Sequence, residues 1–558
     1  MRWNALSERV ASNFAASPPG FNIALREADP PPVDDIVMPG YLALILHAHL
    51  PFVRHPEHKH FLEEDWLFEA ITESYLPLLQ MMQRLANERV LFKLTMSLTP
   101  TLCAMLDDEL LRERYLNHLD LLIDLAGREV KRNRNHDQLR PLLEFYLDRF
   151  RETRRCFVKE YQCDLVSAFR RLRETGSLEI IASAATHAVL PLHSRESQRA
   201  QILIGRDIYL DLFQVEPNGF WLPECAYSPG LETILQEANI RWFVLDAHGL
   251  LFGNPRPGHA IYAPTFTPAG PAAFARDRDS SRQVWSAHEG YPGDPAYREF
   301  YRDIGFDLPL EHVGPIARGV RKFSGVKYYR ITGGGMEKDF YDPEAAAKAA
   351  ATNASHFLEA RRTQIRQLTG LGVDPIIVAP FDAELFGHWW FEGPRFLELF
   401  IRKAAFDQQD FLLTTPSEYL ASHPTQQTIA PAPSTWGEGG HLGVWLDPSN
   451  AWIYPHLRAA AGRMSDLACV RARHVTPLVD RVLKQLAREL LLAQASDWPF
   501  LMKTGTAREY ATKRTQDHLV RFNRLHDQVV ANAVDEKFLA DCEWCDNPFP
   551  NVNWQYYI

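Results

Sequence analysis

The sequence predicts a parallel α/β fold, a barrel of seven candidate strands with a helical insertion and a C-terminal helical domain. Three observations predict it: short β-rich runs that each end in polar residues, helical patterns between them, and a last quarter of the chain that is almost wholly helical in pattern. The runs are 41–46, ending in His47-Ala48-His49; 91–97, ending in Thr99-Pro100; 178–183, ending in Thr186-His187; and 220–222, ending near Glu224. They continue with 242–245, leading into Asp246-Ala247-His248; 376–379, leading into Asp382; and 411–414, leading into Thr415-Pro416-Ser417.

Helical periodicity over 66–86, 197–213, 229–238 and 343–368 alternates with these runs, which implies parallel pairing. In closed βα barrels the reacting groups gather at the C-terminal face, so functional residues at every strand end favour a barrel. An open doubly wound sheet is the alternative, although no Gly-rich phosphate loop opens any of these helices. Residues 101–173 form a mostly helical excursion that is expected to cover one side of a cleft. After His423-Pro424 the run to Pro433 reads as a linker, and 457–534 as a helical domain. The first forty residues, with Pro18-Pro19 and Pro30-Pro31-Pro32, read as a loosely ordered extension.

Composition narrows the function. At 558 residues, with 46% apolar and 11% aromatic content, the chain suits a large core plus a sugar-facing surface. A net charge of -10 argues against nucleic acid as a partner, since phosphate binding needs clustered Lys and Arg. Lys131-Arg132-Asn133-Arg134 is read as a solvated helix end. Seven scattered cysteines point to a reducing compartment, and the lone Cys542-Glu543-Trp544-Cys545 lacks a second pair for zinc. No run of eighteen apolar residues and no secretory h-region occurs, so a cytoplasmic protein without a membrane partner is expected.

The chemistry lies in two carboxylates. Glu224 stands in Trp221-Leu222-Pro223-Glu224-Cys225-Ala226-Tyr227, and Asp382 in Phe381-Asp382-Ala383-Glu384-Leu385-Phe386-Gly387-His388-Trp389-Trp390. A carboxylate pair at the mouth of an aromatic-lined cleft is the minimum equipment for cleaving a glycosidic bond. An apolar lining from Phe381 and Trp389-Trp390 is expected to raise the pKa of Asp382. The plain alternative for Asp382, a helix N-cap, leaves those tryptophans unexplained. His47 and His49 point the same way across one residue. They suit either half of a metal site, completed by His187, Asp246 or His248, or hydrogen bonding to sugar hydroxyls. Trp285, Trp436 and Trp445, the last two flanking Gly437-Glu438-Gly439-Gly440, read as an exposed stacking surface for flat sugar faces.

On these motifs, together with Thr435-Trp436-Gly437-Glu438-Gly439-Gly440 and the stretch around His187, the chain resembles glycoside hydrolase family 57, most closely its α-1,4-glucan branching enzyme group. The resemblance runs from about Tyr41 to Tyr556. It implies an α/β fold with a distorted seven-stranded (β/α) barrel over 41–423, the helical insertion within it, and a C-terminal segment 424–558. It implies that Glu224 is the nucleophile and Asp382 the general acid/base of a retaining mechanism. It further implies that His47, His187, Arg276, Trp285, Trp436 and Asp497 contact an α-1,4-glucan, and that no metal or cofactor is needed. His49, Trp221 and Trp445 join that set from the motifs themselves.

Branching enzymes of this kind are thought to exclude water with a tyrosine-tipped loop between the nucleophile strand and the arginine before Trp285. In this chain residues 227–276 are compact, with Tyr262 and the 264–271 segment as candidates and no long insertion. That departure bears on branching efficiency and leaves bond cleavage untouched. The expected activity is transfer of a cleaved chain to a 6-hydroxyl; hydrolysis or 4-α-glucan transfer is the enzymatic alternative. A non-catalytic glucan-binding protein and a metal-dependent deacetylase built on His47 and His49 are alternatives of a different class.

Overall fold

Nine strands are present in the computed structural model, which describes residues 40–286, 289–333 and 337–558. They are β1 (Gly40–Ala48), β2 (Leu94–Leu98), β3 (Leu178–Ser183), β4 (Gly219–Trp221), β5 (Trp242–Leu245), β6 (Thr265–Phe266), β7 (Ala272–Ala275), β8 (Ile376–Asp382) and β9 (Phe411–Leu413). The sheet runs β6-β7-β5-β4-β3-β2-β1-β8, with β9 on β1. All pairings are parallel except β6 with β7. Beyond β7, Arg276 bridges Val378 of β8 in parallel, and the Asp277 N–H donates to the Val378 carbonyl at 2.8 Å. This contact, from the C-terminal end of β7 to the first half of β8, closes seven parallel strands into a distorted barrel.

Three strands depart from the sequence reading: β6, β7 and β9. The strand β7 was not anticipated, because Ala272-Ala273-Phe274-Ala275 lacks the β-branched residues that mark strands. The expected strand at 411–414 exists as β9 but stands at the foot of the barrel. One edge of β1 carries β8 from Tyr41 to His47, so the other edge must hold β9 at Gly40–Leu42 and β2 at Ile45–Ala48. A strand wedged there between β1 and β2 accounts for the distortion. The expected extension over 1–40 lies, apart from Gly40, outside the described residues.

The period of two along each strand decides what enters the lumen. Ala43, Ile45, Ile181, Trp221, Trp242, Val244, Phe274 and Val378 form one buried cluster inside the barrel. Leu42, Leu44 and Leu46 face the surrounding helices instead. Continuing the inward parity brings His47 and His49, Asp246, Arg276 and Asp382 to the top of the lumen.

Between β2 and β3 the chain makes the helices Pro100–Asp107, Glu109–Arg132, Leu139–Arg155 and Leu165–Glu174. A second excursion, irregular and not foreseen, fills the stretch before helix Pro343–Thr369 and packs on this insertion: Tyr146 donates to the Lys327 carbonyl at 2.8 Å, and Tyr328 bonds Glu129. The helices Ile453–Arg471, Pro477–Ala493, Asp497–Thr504, Arg508–Val530 and Glu536–Cys545 complete the chain. Their junction at Gln494–Ser496 is tied to the barrel mouth, since the Ser496 N–H donates to the His187 carbonyl at 3.1 Å and Gln201 bonds Gln494 at 3.1 Å. Among the described residues no helix is long and apolar enough to cross a membrane.

Candidate active site

Glu224 follows β4 in a tight turn and adopts a left-handed backbone, φ 60° and ψ 22°. For a residue with a Cβ this costs about 1–3 kcal/mol and persists only where surroundings fix it. The Glu224 carbonyl accepts from the Trp436 N–H at 3.1 Å and the Thr435 hydroxyl at 2.9 Å. The carboxylate accepts from the Trp436 indole N–H at 2.8 Å and from the Ser496 hydroxyl at 3.3 Å. One loop therefore holds both the backbone and the charge of Glu224.

Behind that carboxylate the hydrogen positions form a chain. Ser496 has one proton; if it goes to Glu224, His187 Nδ1, 2.7 Å away, must donate to Ser496. His187 Nε2 then accepts from His47 Nε2 at 2.8 Å, which leaves His47 Nδ1 as a bare acceptor, buried and unpartnered. Both rings are neutral, since burial first and the neighbouring His49 second hold their pKa well below 6.5. His49 differs: burial opposes its charge, but Asp497, at 3.1 Å from Nε2, overrides this and raises its pKa. Its Nδ1 bonds the Thr99 hydroxyl at 3.0 Å. Every nitrogen of these rings except His47 Nδ1 is thus engaged within the protein, an arrangement that does not fit the metal alternative.

Asp382 ends β8 with a different environment. Burial raises its pKa well above the usual carboxylate range, the charges of Glu384 and Glu224 raise it further, and only Arg276 opposes them. Burial also lifts Glu224, to about 7, but Trp436, His49 and Ser496 restrain the rise. Hydrogen bonds from Trp436 and Ser496 favour the ionised form of Glu224, whereas the carboxylates beside Asp382 favour its protonated form, the division that double displacement needs. The rise in Asp382 does not come from the tryptophans that follow it. Trp389 is 54% exposed and stacks on Phe300, Trp390 is buried against Phe386, Tyr297 and Phe396, and Phe381 faces outward into the helix-side core.

Arg276, at the end of β7, donates through Nε to Ser281 at 2.9 Å and lies 3.6 Å from Asp246, whose other oxygen bonds His248 and Arg278, each at 2.9 Å. Its guanidinium sits 5.5 Å from the Trp436 ring. Trp285, 38% exposed, meets Trp436 edge to face at 6.5 Å. The site thus brings together Glu224, Asp382, His47, His49, His187, Arg276, Trp436 and Asp497, with Trp285 at the rim.

Two expected sugar contacts are corrected. Trp221 is 0% exposed and fills the lumen beneath His47, 4.6 Å ring to ring, because its strand parity turns it inward. Trp445 is 2% exposed, packed on Val189 and Ala226 and so close to Gly437 that a Cβ there would lie 2.7 Å from its ring. It braces the Trp436 loop and offers no face to a ligand. The sequence reading also missed Ser496 and Glu384. Glu384 accepts from Tyr75 and from the His49 N–H at 3.1 Å, with burial lifting its pKa to about 7. Its position two residues beyond Asp382, in the same motif, was the available signal.

The sequence model for glycosyl hydrolase family 57 matches residues 43–432. The chain belongs to glycosyl hydrolase family 57. A second model, described as the C-terminal part of 1,4-alpha-glucan branching enzymes, matches residues 456–557. Among its relatives, a 1,4-alpha-glucan branching enzyme of Thermococcus kodakarensis is 35% identical over 552 residues, 92% of this chain and 78% of that protein. The solved α-amylase AmyC of Thermotoga maritima is 44% identical with a TM-score of 0.87, covering 93% of this chain and 99% of its own. The family 57 branching enzyme of Pyrococcus horikoshii is 34% identical with a TM-score of 0.84, covering 93% and 97%.

Proposed function

We propose that this family 57 protein is a 1,4-α-glucan branching enzyme that works with retention of configuration. One observation carries the reading: the segment matched by the branching-enzyme C-terminal model delivers Ser496 to Glu224 and Asp497 to His49, so the reaction centre is incomplete without it. In the first step Glu224 attacks the anomeric carbon while Asp382 protonates the departing glycosidic oxygen. The C–O bond breaks, the non-reducing part stays esterified to Glu224, and the leaving chain departs with a new 4-hydroxyl. In the second step Asp382, now ionised, takes the proton of an acceptor 6-hydroxyl, whose oxygen displaces Glu224. Arg276 and the Trp285–Trp436 corner hold sugars against this centre.

Hydrolysis by the same intermediate is the second reading, favoured by the compact stretch between Glu224 and Arg276 and by the likeness to AmyC. Seven free cysteines suit a reducing cytoplasm and a role on intracellular, glycogen-type glucan. The site assignment is tested with Glu224→Gln and Asp382→Asn. Each is expected to lower turnover of amylose by at least about 10²-fold with binding retained. Turnover within tenfold of the native rate in either variant would refute the roles of nucleophile and general acid/base.

A further inference from the structure

Trp389 is used by none of these steps, yet the chain exposes it. The adjacent Trp390 is 1% exposed, so an indole can be buried in this turn, and Trp389 is nevertheless turned outward. Its ring lies flat on Phe300, centroids 4.5 Å apart and planes at 24°. Phe300 in turn meets the edge of Tyr301, which is 74% exposed, at 5.1 Å. An exposed indole stacked on a second ring and continuous with an exposed tyrosine is the kind of apolar surface that binding grooves and interfaces present.

The face is also rigidly built. The buried Lys327 ammonium sits 4.9 Å from the Phe300 ring and donates to the Phe300 carbonyl. Two residues before Phe300, the buried Arg298 pairs with Glu73 at 2.9 Å, and Glu73 lies 3.5 Å from His388. Glu73 belongs to a π-helical turn, Ile71–Tyr75, whose Ser74 accepts the His388 N–H at 3.1 Å and whose Tyr75 bonds Glu384. The turn bearing Trp389 is bonded to Glu384 as well, through its own N–H to the Glu384 carbonyl at 3.2 Å. One π turn thus fixes both the wall of the catalytic site and the aromatic face.

We propose that Trp389, Phe300 and Tyr301 form a second carbohydrate-binding platform that holds an α-1,4-glucan chain extending from the catalytic pair. The proposal rests on the functional reading above for its ligand class. Trp389 is seven residues beyond Asp382, which places it at most about 25 Å away along the chain. A polymer cut at Asp382 must run over protein surface at that range, whereas a trisaccharide is too short to span it. Flat apolar sugar faces match a pre-stacked indole, and a pre-formed stack loses little freedom on binding.

The test compares binding of amylose and of maltotriose to the full chain, with Trp389→Ala and Trp389→Phe, each checked for an unchanged melting temperature. Trp389→Ala is expected to raise the dissociation constant for amylose about tenfold, with a much smaller rise for maltotriose, and Trp389→Phe to restore most of the loss. Equal weakening toward both glucans, or none toward either, overturns the proposal. So does a loss of self-association in sedimentation with amylose binding intact, which would give the face to a second copy of the chain. Binding is read without turnover. A native chain that binds amylose through Trp389 but forms no α-1,6 linkages would therefore overturn the branching reading and leave the platform standing.

Discussion

Replacing Trp436 with phenylalanine isolates the factor that keeps the nucleophile ionised. The substitution keeps an aromatic ring beside Arg276 and Trp285 but removes the indole N–H that reaches Glu224 at 2.8 Å. A hydrogen bond to a charged group contributes about 1.5–3 kcal/mol, and each pKa unit corresponds to about 1.4 kcal/mol, so Glu224 should rise by about 1–2 units. Starting from about 7, it would move to roughly 8–9. At pH 7 the ionised fraction then falls from about one half to between about one tenth and one hundredth, lowering kcat/KM about 5- to 50-fold.

The sign is fixed by which form reacts. Glu224 must be a carboxylate, so raising its pKa moves the acid limb of the profile toward alkaline pH. The assay is kcat/KM on amylose from pH 5 to about 10, and the limb is a property of the coupled pair. A profile lowered by one factor at every pH, with its acid limb unmoved, would refute the argument: Trp436 would then act on the sugar alone.

Two further substitutions test the frame around the site. Gly387→Ala places a Cβ 1.7 Å from the Glu73 carbonyl oxygen at φ 118°, so the turn behind Glu384 must shift; a loss of about 3 kcal/mol or more is expected in denaturant unfolding, and an unchanged midpoint would contradict it. Arg514→Met removes one of two guanidinium partners of the fully buried Asp546, leaving that carboxylate underpaired; a loss of about 3 kcal/mol in thermal or denaturant unfolding is expected, and no loss would show the pair to be dispensable.

Much of this site was legible before the fold. Strand-end polarity singled out Glu224, Asp382, His47 and His187 as candidates, because β-branched and aromatic runs ending in charged residues are unlike loops or helices; Arg276 came from the family resemblance alone, since the strand that carries it was not read. The strand β7 was hidden by its alanines, whose fit is decided by crowding in the lumen at Ala272 and against the outer helices at Ala273 and Ala275, and not by propensity. Ser496 was illegible for another reason. It lies 272 residues from Glu224, between two C-terminal helices, and only tertiary packing gives it a role. Trp221 and Trp445 show the limit of reading aromatics by neighbourhood: a tryptophan beside a catalytic motif is as useful under the site as in it. Strand parity could have placed Trp221 in the lumen, but nothing in the sequence marks Trp445 as the brace of its loop. The π turn at Ile71–Tyr75 is similarly silent, since 66–86 reads as one continuous helix.

The fate of the chain held on Glu224 is the central claim, and it is measured by incubating the protein with amylose while counting new α-1,6 linkages and new reducing ends together. Branching predicts that α-1,6 linkages outnumber the reducing ends set free. Reducing ends accumulating with few α-1,6 linkages would contradict it and give the same carboxylate pair to hydrolysis.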